Sequence, residues 1–362
     1  MSFCRSQLFV LEHFLRMDTA RPENWLSALQ VLTASPRLSL KTLAPAGSGS
    51  FRARLSFLPS ADLMAWGTYT RRAGTLTGTN AGATAIVMPV AGEMVFEVRE
   101  GQFSCGPWTP FVLDPTENFH LTLSEEAHLF IVQLPGLSGP HHRDQLRFHQ
   151  DQLAELLTNF LGETPFFRDH KHAQGCLDRF SGHLHGFIKT GYSPLAQSRN
   201  RKDIRNDRRL CNAIRLLNEE LDTEISIESV ASRSGLSLRN FHYLMKHYIR
   251  QSPYQYIRGR RLIKAREAII RDYPENISIA QQASNWGFQH AGRFSRYYQQ
   301  HFGEYPNETL AELDRLGRFA RQVRSTAGGN TAAGEYWLTS KGTPTEASLD
   351  GDAGPARQKC LF

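Results

Sequence analysis

Two sets of side chains suited to reading a nucleic acid stand in the C-terminal half of this chain. Arg239, Asn240, His242, Tyr243 and Lys246 form the first, and Gln289, His290, Arg293, Ser295 and Arg296 the second. Guanidinium and ammonium groups pair with phosphates, and Arg, Asn and Gln can also make paired hydrogen bonds to a base edge. The spacing within each set is helical, so its members share one outer surface. Phe241, Leu244 and Met245, and likewise Phe294, Tyr298 and Phe302, fall on the opposite, inward stripe. For any single position the alternative is a plainly solvated side chain.

The elements that must hold these side chains are legible as one pattern written twice. In the first copy Ser226 is placed to cap a helix whose Ile227, Val230 and Ala231 face inward. Glu224 and Glu228 suit its positive N-terminal end. Gly235 then allows a left-handed turn, and Ser237 caps the second helix. Ser278, Ile279, Ala283 and Gly287 repeat this order. Between the copies, residues 254–271 read as one helix made basic by Arg258, Arg260, Arg261, Lys264 and Arg266. If each second helix entered a major groove, the two would address successive grooves, about 34 Å apart. Residues 199–311 hold 19 Lys and Arg against 12 Asp and Glu, an excess equal to the entire formal net charge of +7. That is the footprint of a surface facing phosphates.

Residues 211–313 resemble the DNA-binding domain of the AraC/XylS family of bacterial transcription regulators. The resemblance is carried by Ile227, Val230, Ala231, Gly235, Ser237 and Phe241, then Ser252-Pro253, Tyr256-Ile257, Arg261-Leu262 and Ala265. It continues through Ile279, Ala283, Gly287-Phe288, Phe294-Ser295-Arg296, Phe302-Gly303 and Pro306. It implies a sequence-specific regulator, expected to be an activator, with a cupin-like N-terminal β domain that senses a small molecule and dimerises. The partners implied are double-stranded DNA, RNA polymerase and the effector, in a cytoplasmic homodimer without a cofactor. Two departures stand out. Arg250-Gln251 replaces the family's usual glycine before Ser-Pro, and Ala291 and Gly292 occupy early positions of the second reading helix, where longer side chains are common. Gly292 also lowers local helix propensity by ~1 kcal/mol relative to Ala.

The rest of the chain supports an α+β multidomain architecture: a β-sandwich or barrel with helices, then an all-α domain of two helix-turn-helix units joined by a long helix. Residues 1–37 are expected to form an N-terminal segment with a short helix at 22–32. Residues 38–135 alternate short apolar runs with turn residues, as in a small sandwich or barrel able to hold one ligand. Alternation is read in Met94–Val98 and in residues 128–132. Residues 136–192 turn helical, with Leu177, Phe180, Leu184, Phe187 and Ile188 on a stripe that suits either the chain's own β domain or a second subunit. Residues 193–209 read as a linker, 210–313 as the DNA-binding domain and 325–362 as a disordered tail. Met17 is an alternative start.

Enzymatic readings find little. His120 and His128 do not form the His-x-His of metal cupins, and no GxSxG, HExxH or phosphate-loop pattern occurs. His141, His142, His149, His170, His172, His183 and His185, with Cys176, match no zinc spacing. The five scattered cysteines suit free thiols in a reducing compartment. No apolar run is long enough to span a membrane. Effector-binding residues stay unassigned. Trp66, Tyr69, Phe96, Trp108 and Phe111 could line a pocket or fill a core, and at most one of Arg71 and Arg72 could face inward to an anion.

Overall fold

Apolar residues at alternate positions and turn residues between them make the first half of the chain a stack of antiparallel strands. These are β1 (Leu15–Thr19), β2 (Ser39–Thr42), β3 (Ala53–Pro59), β4 (Met64–Thr70), β5 (Gly74–Thr79), β6 (Ala83–Ala91), β7 (Met94–Val98), β8 (Gly101–Cys105), β9 (Phe111–Leu113), β10 (Asn118–Leu123) and β11 (Ala127–Pro135). Helix α1 (Pro22–Leu32) lies between β1 and β2. The computed structural model describes residues 9–42, 50–80, 83–137, 140–191, 207–273 and 278–325. The proposed tail and most of the proposed linker lie outside these residues.

The strands form two sheets, ordered β1-β3-β4-β11-β6-β9 and β2-β5-β10-β7-β8. Inward side chains such as Leu55, Trp66, Val87 and Ile131 from the first meet Leu76, Phe96 and Leu121 from the second. The outer face of the six-stranded sheet is also covered. Helices α2 (Pro140–Phe148), α3 (Gln150–Glu163) and α4 (His170–Thr190) pack there against Ala65, Ile86, Phe130 and Val132. This explains why residues 128–132 do not alternate polar with apolar as expected: β11 is buried on both faces. The same packing settles the stripe on α4. Leu177, Phe180, Leu184, Phe187 and Ile188 are buried against the chain's own β domain, so that stripe is not open to a second subunit.

The second half is helical: α5 (Arg208–Glu219), α6 (Ile227–Arg233), α7 (Leu238–Leu244), α8 (Pro253–Asp272), α9 (Ile279–Asn285), α10 (Ala291–Phe302) and α11 (Pro306–Ser325). One core joins α5 to α7 and the start of α8, and a second joins the rest of α8 to α9 and α10. Trp286 borders both. Helix α11 continues to Ser325, past the expected end of this domain at 313, and Asp207 caps α5 through the amides of Arg209 and Leu210, inside the segment read as linker.

The N-terminal segment is not separate. Its strand β1 pairs with β3, and residues 9–14 lie across the outer face of the six-stranded sheet. Val10 N–H donates to His128 Nε2 at 3.0 Å, and Ser56 Oγ donates to Val10 O at 2.6 Å. A Cβ at Gly67 would sit 2.9 Å from Val10 O, so this close approach requires glycine. Leu11, Phe14 and Leu15 are buried, and a chain begun at Met17 would lack all three.

That segment also joins the two halves. Glu12 forms a bidentate ion pair with Arg260 of α8, and both side chains are almost fully buried. Arg16 binds both oxygens of Glu304, at 2.9 and 2.7 Å, and Arg266 pairs with the same carboxylate at 2.8 Å. Arg266 Nε also donates to Leu15 O, and Arg54 of β3 pairs with Glu267. Burial opposes the charge on Glu304, but Arg16 and Arg266 hold its carboxyl well below the usual range. His13 stacks on His301 within the same interface.

Candidate nucleic-acid interface and sensor cavity

Serine caps and glycine turns position the two reading helices as their sequence implied. The hydroxyls of Ser226, Ser237 and Ser278 accept from the amides of Ser229, Asn240 and Gln281. Ser252 and Gln255 form a reciprocal capping box at the start of α8. Gly235 and Gly287 have φ of 69° and 80°, the left-handed turn that lets each first helix fold back on the second.

On α7, Arg239, Tyr243 and the following Lys246 are exposed, and Asn240 and His242 are half-buried. Tyr243 stacks on His247, with ring centroids 5.6 Å apart. On α10, Arg293 and Arg296 are exposed and Ser295 is half-buried. Gln289 and His290 are exposed but precede this helix, whose N-cap is His290. They therefore sit at its tip, beside the open first turn formed by Ala291 and Gly292. Among the described residues, the side chains of Arg239, Lys246, Arg293 and Arg296 make no ion pair or hydrogen bond. Cations left free in this way are available to phosphates and bases.

The connector α8 behaves differently from its composition. Arg260 and Arg266 are buried in the interface with the N-terminal segment. Arg261 donates to the carbonyls of Leu221 and Thr223, Lys264 pairs with Glu267, and Arg258 lies over the Tyr297 ring. Its positive charge holds the protein together, while Arg239, Lys246, Arg293 and Arg296, on and beside the reading helices, stay free to meet a nucleic acid. Sequence reasoning also passed over Tyr254, which is 64% exposed at the start of α8 and lies near His242. Arg250, standing where glycine is usual, adopts a left-handed conformation with φ of 61° after a short π-helical turn, Met245–Ile249. The backbone geometry is kept without the residue that favours it.

Between the two sheets lies a cavity of about 60 Å³. Trp66 and Phe96 line it, while Phe111 packs in the same core nearby. Tyr69 points outward to Glu126, and Trp108 packs toward the helical layer. The cavity is closed on one side by Trp25 and Leu29 of α1, and the Trp25 indole donates to Thr68 Oγ1 at 2.9 Å. Sequence reading found the helix but not its place over the cavity. Arg71 pairs with Glu126 at the surface; Arg72 pairs with Glu125 and borders a shallow cleft beyond Trp25.

Four histidines of the cluster have other partners, and the side chains of His141 and His142 lie outside the described residues. His170 packs on Phe14, His149 on Phe187, His185 bonds to Ser181, and His172 lies 3.7 Å from Cys176 Sγ. Among the described residues no three His, Cys, Asp or Glu side chains converge as a metal site would need.

Comparison with known proteins follows the same division. A family model described as an AraC-binding-like domain matches residues 38–184, and one described as a helix-turn-helix domain matches residues 230–312. The XylDLEGF operon transcriptional activator of Pseudomonas putida is 27% identical over 218 residues, covering 57% of this chain and 68% of that protein. This chain belongs to the AraC/XylS family. Another relative of this AraC/XylS regulator, the HTH-type transcriptional activator RhaS of Escherichia fergusonii, is 32% identical over 106 residues, 29% of this chain and 37% of that one. A solved AraC-type regulator from Chromobacterium violaceum is similar at 28% identity over 29% of this chain and 91% of that one, with a TM-score of 0.27. The AraC/XylS assignment gives the chain a DNA-binding half and a ligand-binding half, and the free cations of α7 and α10 lie in the first. No helix among the described residues is long and apolar enough to cross a membrane.

Proposed function

We propose that this regulator is a transcriptional activator that reads double-stranded DNA with α7 and α10 and responds to a small molecule held between its two sheets. It acts in the cytoplasm as a homodimer and contacts RNA polymerase rather than catalysing a reaction. The observation that carries this reading is the set of free cations, Arg239, Lys246, Arg293 and Arg296, on helices presented by two capped, glycine-turned units. Asn240, His242, Tyr243, Gln289, His290 and Ser295 supply the neighbouring hydrogen-bond groups. Two relatives that are named as activators support the direction of control.

The test is Arg296→Ala, with binding measured by fluorescence anisotropy on a selected operator and on random duplex at one fixed salt concentration. A bidentate contact to guanine contributes ~1–3 kcal/mol of discrimination. Operator affinity should therefore fall by roughly fivefold or more while random-duplex affinity changes little. Equal losses on both would make Arg296 a phosphate contact, and no loss on either would remove it from the interface.

A further inference from the structure

The polar groups that open into the sensor cavity restrict what it can hold. No Asp, Glu, Lys, Arg or His side chain lines it. Of its polar residues other than Trp25, three are already satisfied, and one of them, Thr33, donates from Oγ1 to Leu29 O at 2.8 Å. Thr68 accepts from Trp25 and donates to Arg54 O, and Asn80 Nδ2 donates to the carbonyls of Ala83 and Asp114. Two are open. The Trp66 indole Nε1–H is buried with no hydrogen-bond partner, on a side chain only 4% exposed. The Gln133 side chain, 5% exposed, makes no hydrogen bond among the described residues. These two stand on adjacent strands. Trp66 of β4 is paired with Ile131 of β11, and Gln133 lies two residues further along the same face. Such diagonal neighbours are roughly 7 Å apart, close enough for one polar group to engage both.

We propose that the ligand of this cavity is an uncharged, mainly apolar small molecule of about one ring, whose single polar group accepts from Trp66 Nε1–H and meets the Gln133 amide. The proposal rests on the reading of the cavity as the effector site and adds the ligand's chemical class. A buried donor without a partner is a standing cost that such an acceptor removes. A carboxylate at the same place would lose its hydration and find no cation, which a buried charge does not tolerate. Arg72 lies at the cleft on the other side of Trp25 and is paired with Glu125. Size sets the other limit. An apolar cavity of about 150 Å³ admits benzene, whereas this one is about 60 Å³. A single ring therefore enters only as Trp25 and Leu29 yield, and a larger ligand would have to unseat α1.

The test uses the full chain and four probes of one ring each: benzamide, benzyl alcohol, toluene and benzoate, by calorimetric titration and thermal melting at pH 7.5. Variants are Trp66→Phe, Gln133→Leu, Arg72→Gln and the cavity-filling Leu121→Trp, each checked for native circular dichroism. Benzamide or benzyl alcohol should bind and raise the melting temperature, with toluene and benzoate weaker by about tenfold. Trp66→Phe should reduce the binding of the polar neutral probes to the level of toluene and leave toluene unchanged, and Arg72→Gln should change neither. Leu121→Trp should abolish all binding. Benzoate binding as tightly as benzamide, with loss of that binding in Arg72→Gln, overturns the inference and leaves the cavity as the ligand site. Failure of all four probes on the wild type, or binding that survives a folded Leu121→Trp, overturns the cavity itself and the inference with it.

Discussion

Removing the Glu12 carboxylate tests how strongly the two halves are tied. Glu12 and Arg260 have side chains only 4% and 3% exposed, so neither charge has water to fall back on. Burial alone would lower the Arg260 pKa, but Glu12 and Tyr256 raise it instead, so the arginine stays charged. In Glu12→Gln the guanidinium stays buried with only an amide for company. Breaking a buried pair by removing one partner costs ~3–5 kcal/mol. A retained hydrogen bond from the Gln amide oxygen would place Glu12→Gln near the lower end. Replacing both, as Glu12→Leu with Arg260→Met, exchanges the pair for apolar contact and should cost far less than either single change. The assay is urea unfolding followed by tryptophan fluorescence. With m of ~1–3 kcal/mol/M, the single variants should lose on the order of 1 M or more in midpoint, and the double variant most of that difference less. Losses under about 1 kcal/mol in the singles, or losses that simply add in the double, would refute the view that the pair acts as one buried unit.

Two further outcomes follow from named residues. Arg250→Gly should stabilise the chain by ~0.5–1 kcal/mol in the same unfolding assay, because a left-handed backbone costs a side-chain-bearing residue that much or more. Acid should loosen the interface through His13, His128 and His301. Burial, then Arg54, lowers His128 from 6.5 to about 3; burial lowers His301 to about 4; and burial, with His301, lowers His13 well below 6.5. All three are neutral when folded, so the unfolded chain binds their protons first. The stability they contribute is complete above pH 6.5 and is lost as pH falls through the window toward 4; for His128 and His301 the loss is roughly 2 kcal/mol each at pH 5, and His13 adds in the same direction. Melting temperatures at pH 7.5 and 5.0 measure this, and replacing all three by non-titrating residues should flatten the difference.

The DNA-facing half was legible because its signals are local. A serine three residues before the amide it caps and a glycine in a left-handed turn leave the same mark in any sequence, and Ser226, Gly235, Ser278 and Gly287 all took those places. Most strands were legible for the same reason. Strand β1 was not, because Leu15 and Arg16 depend on partners in β3, α8 and the turn after α10. The arginines of α8 show the limit most clearly. Their number was plain, but composition says nothing of Glu12 and Glu304, and two side chains that count as positive surface are interior. In the cavity, Gln133 carries no mark of its own in the sequence. Only the pairing of β4 with β11 brings it beside an unpartnered indole.

The strap formed by residues 9–16 has a consequence for the order of synthesis. The groups that neutralise Glu12 and Arg16 lie 248 and 288 residues downstream of them and leave the ribosome later. At about 5–20 residues per second, Glu12 and Arg16 wait on the order of 12–60 s. During that interval Leu11 and Phe14 can already settle on the outer face of the six-stranded sheet, while Glu12 remains hydrated and unpaired. The nascent chain thus carries an acidic landing point in place before the helix that will dock on it exists, and the arginines of α8 are drawn to it as they appear.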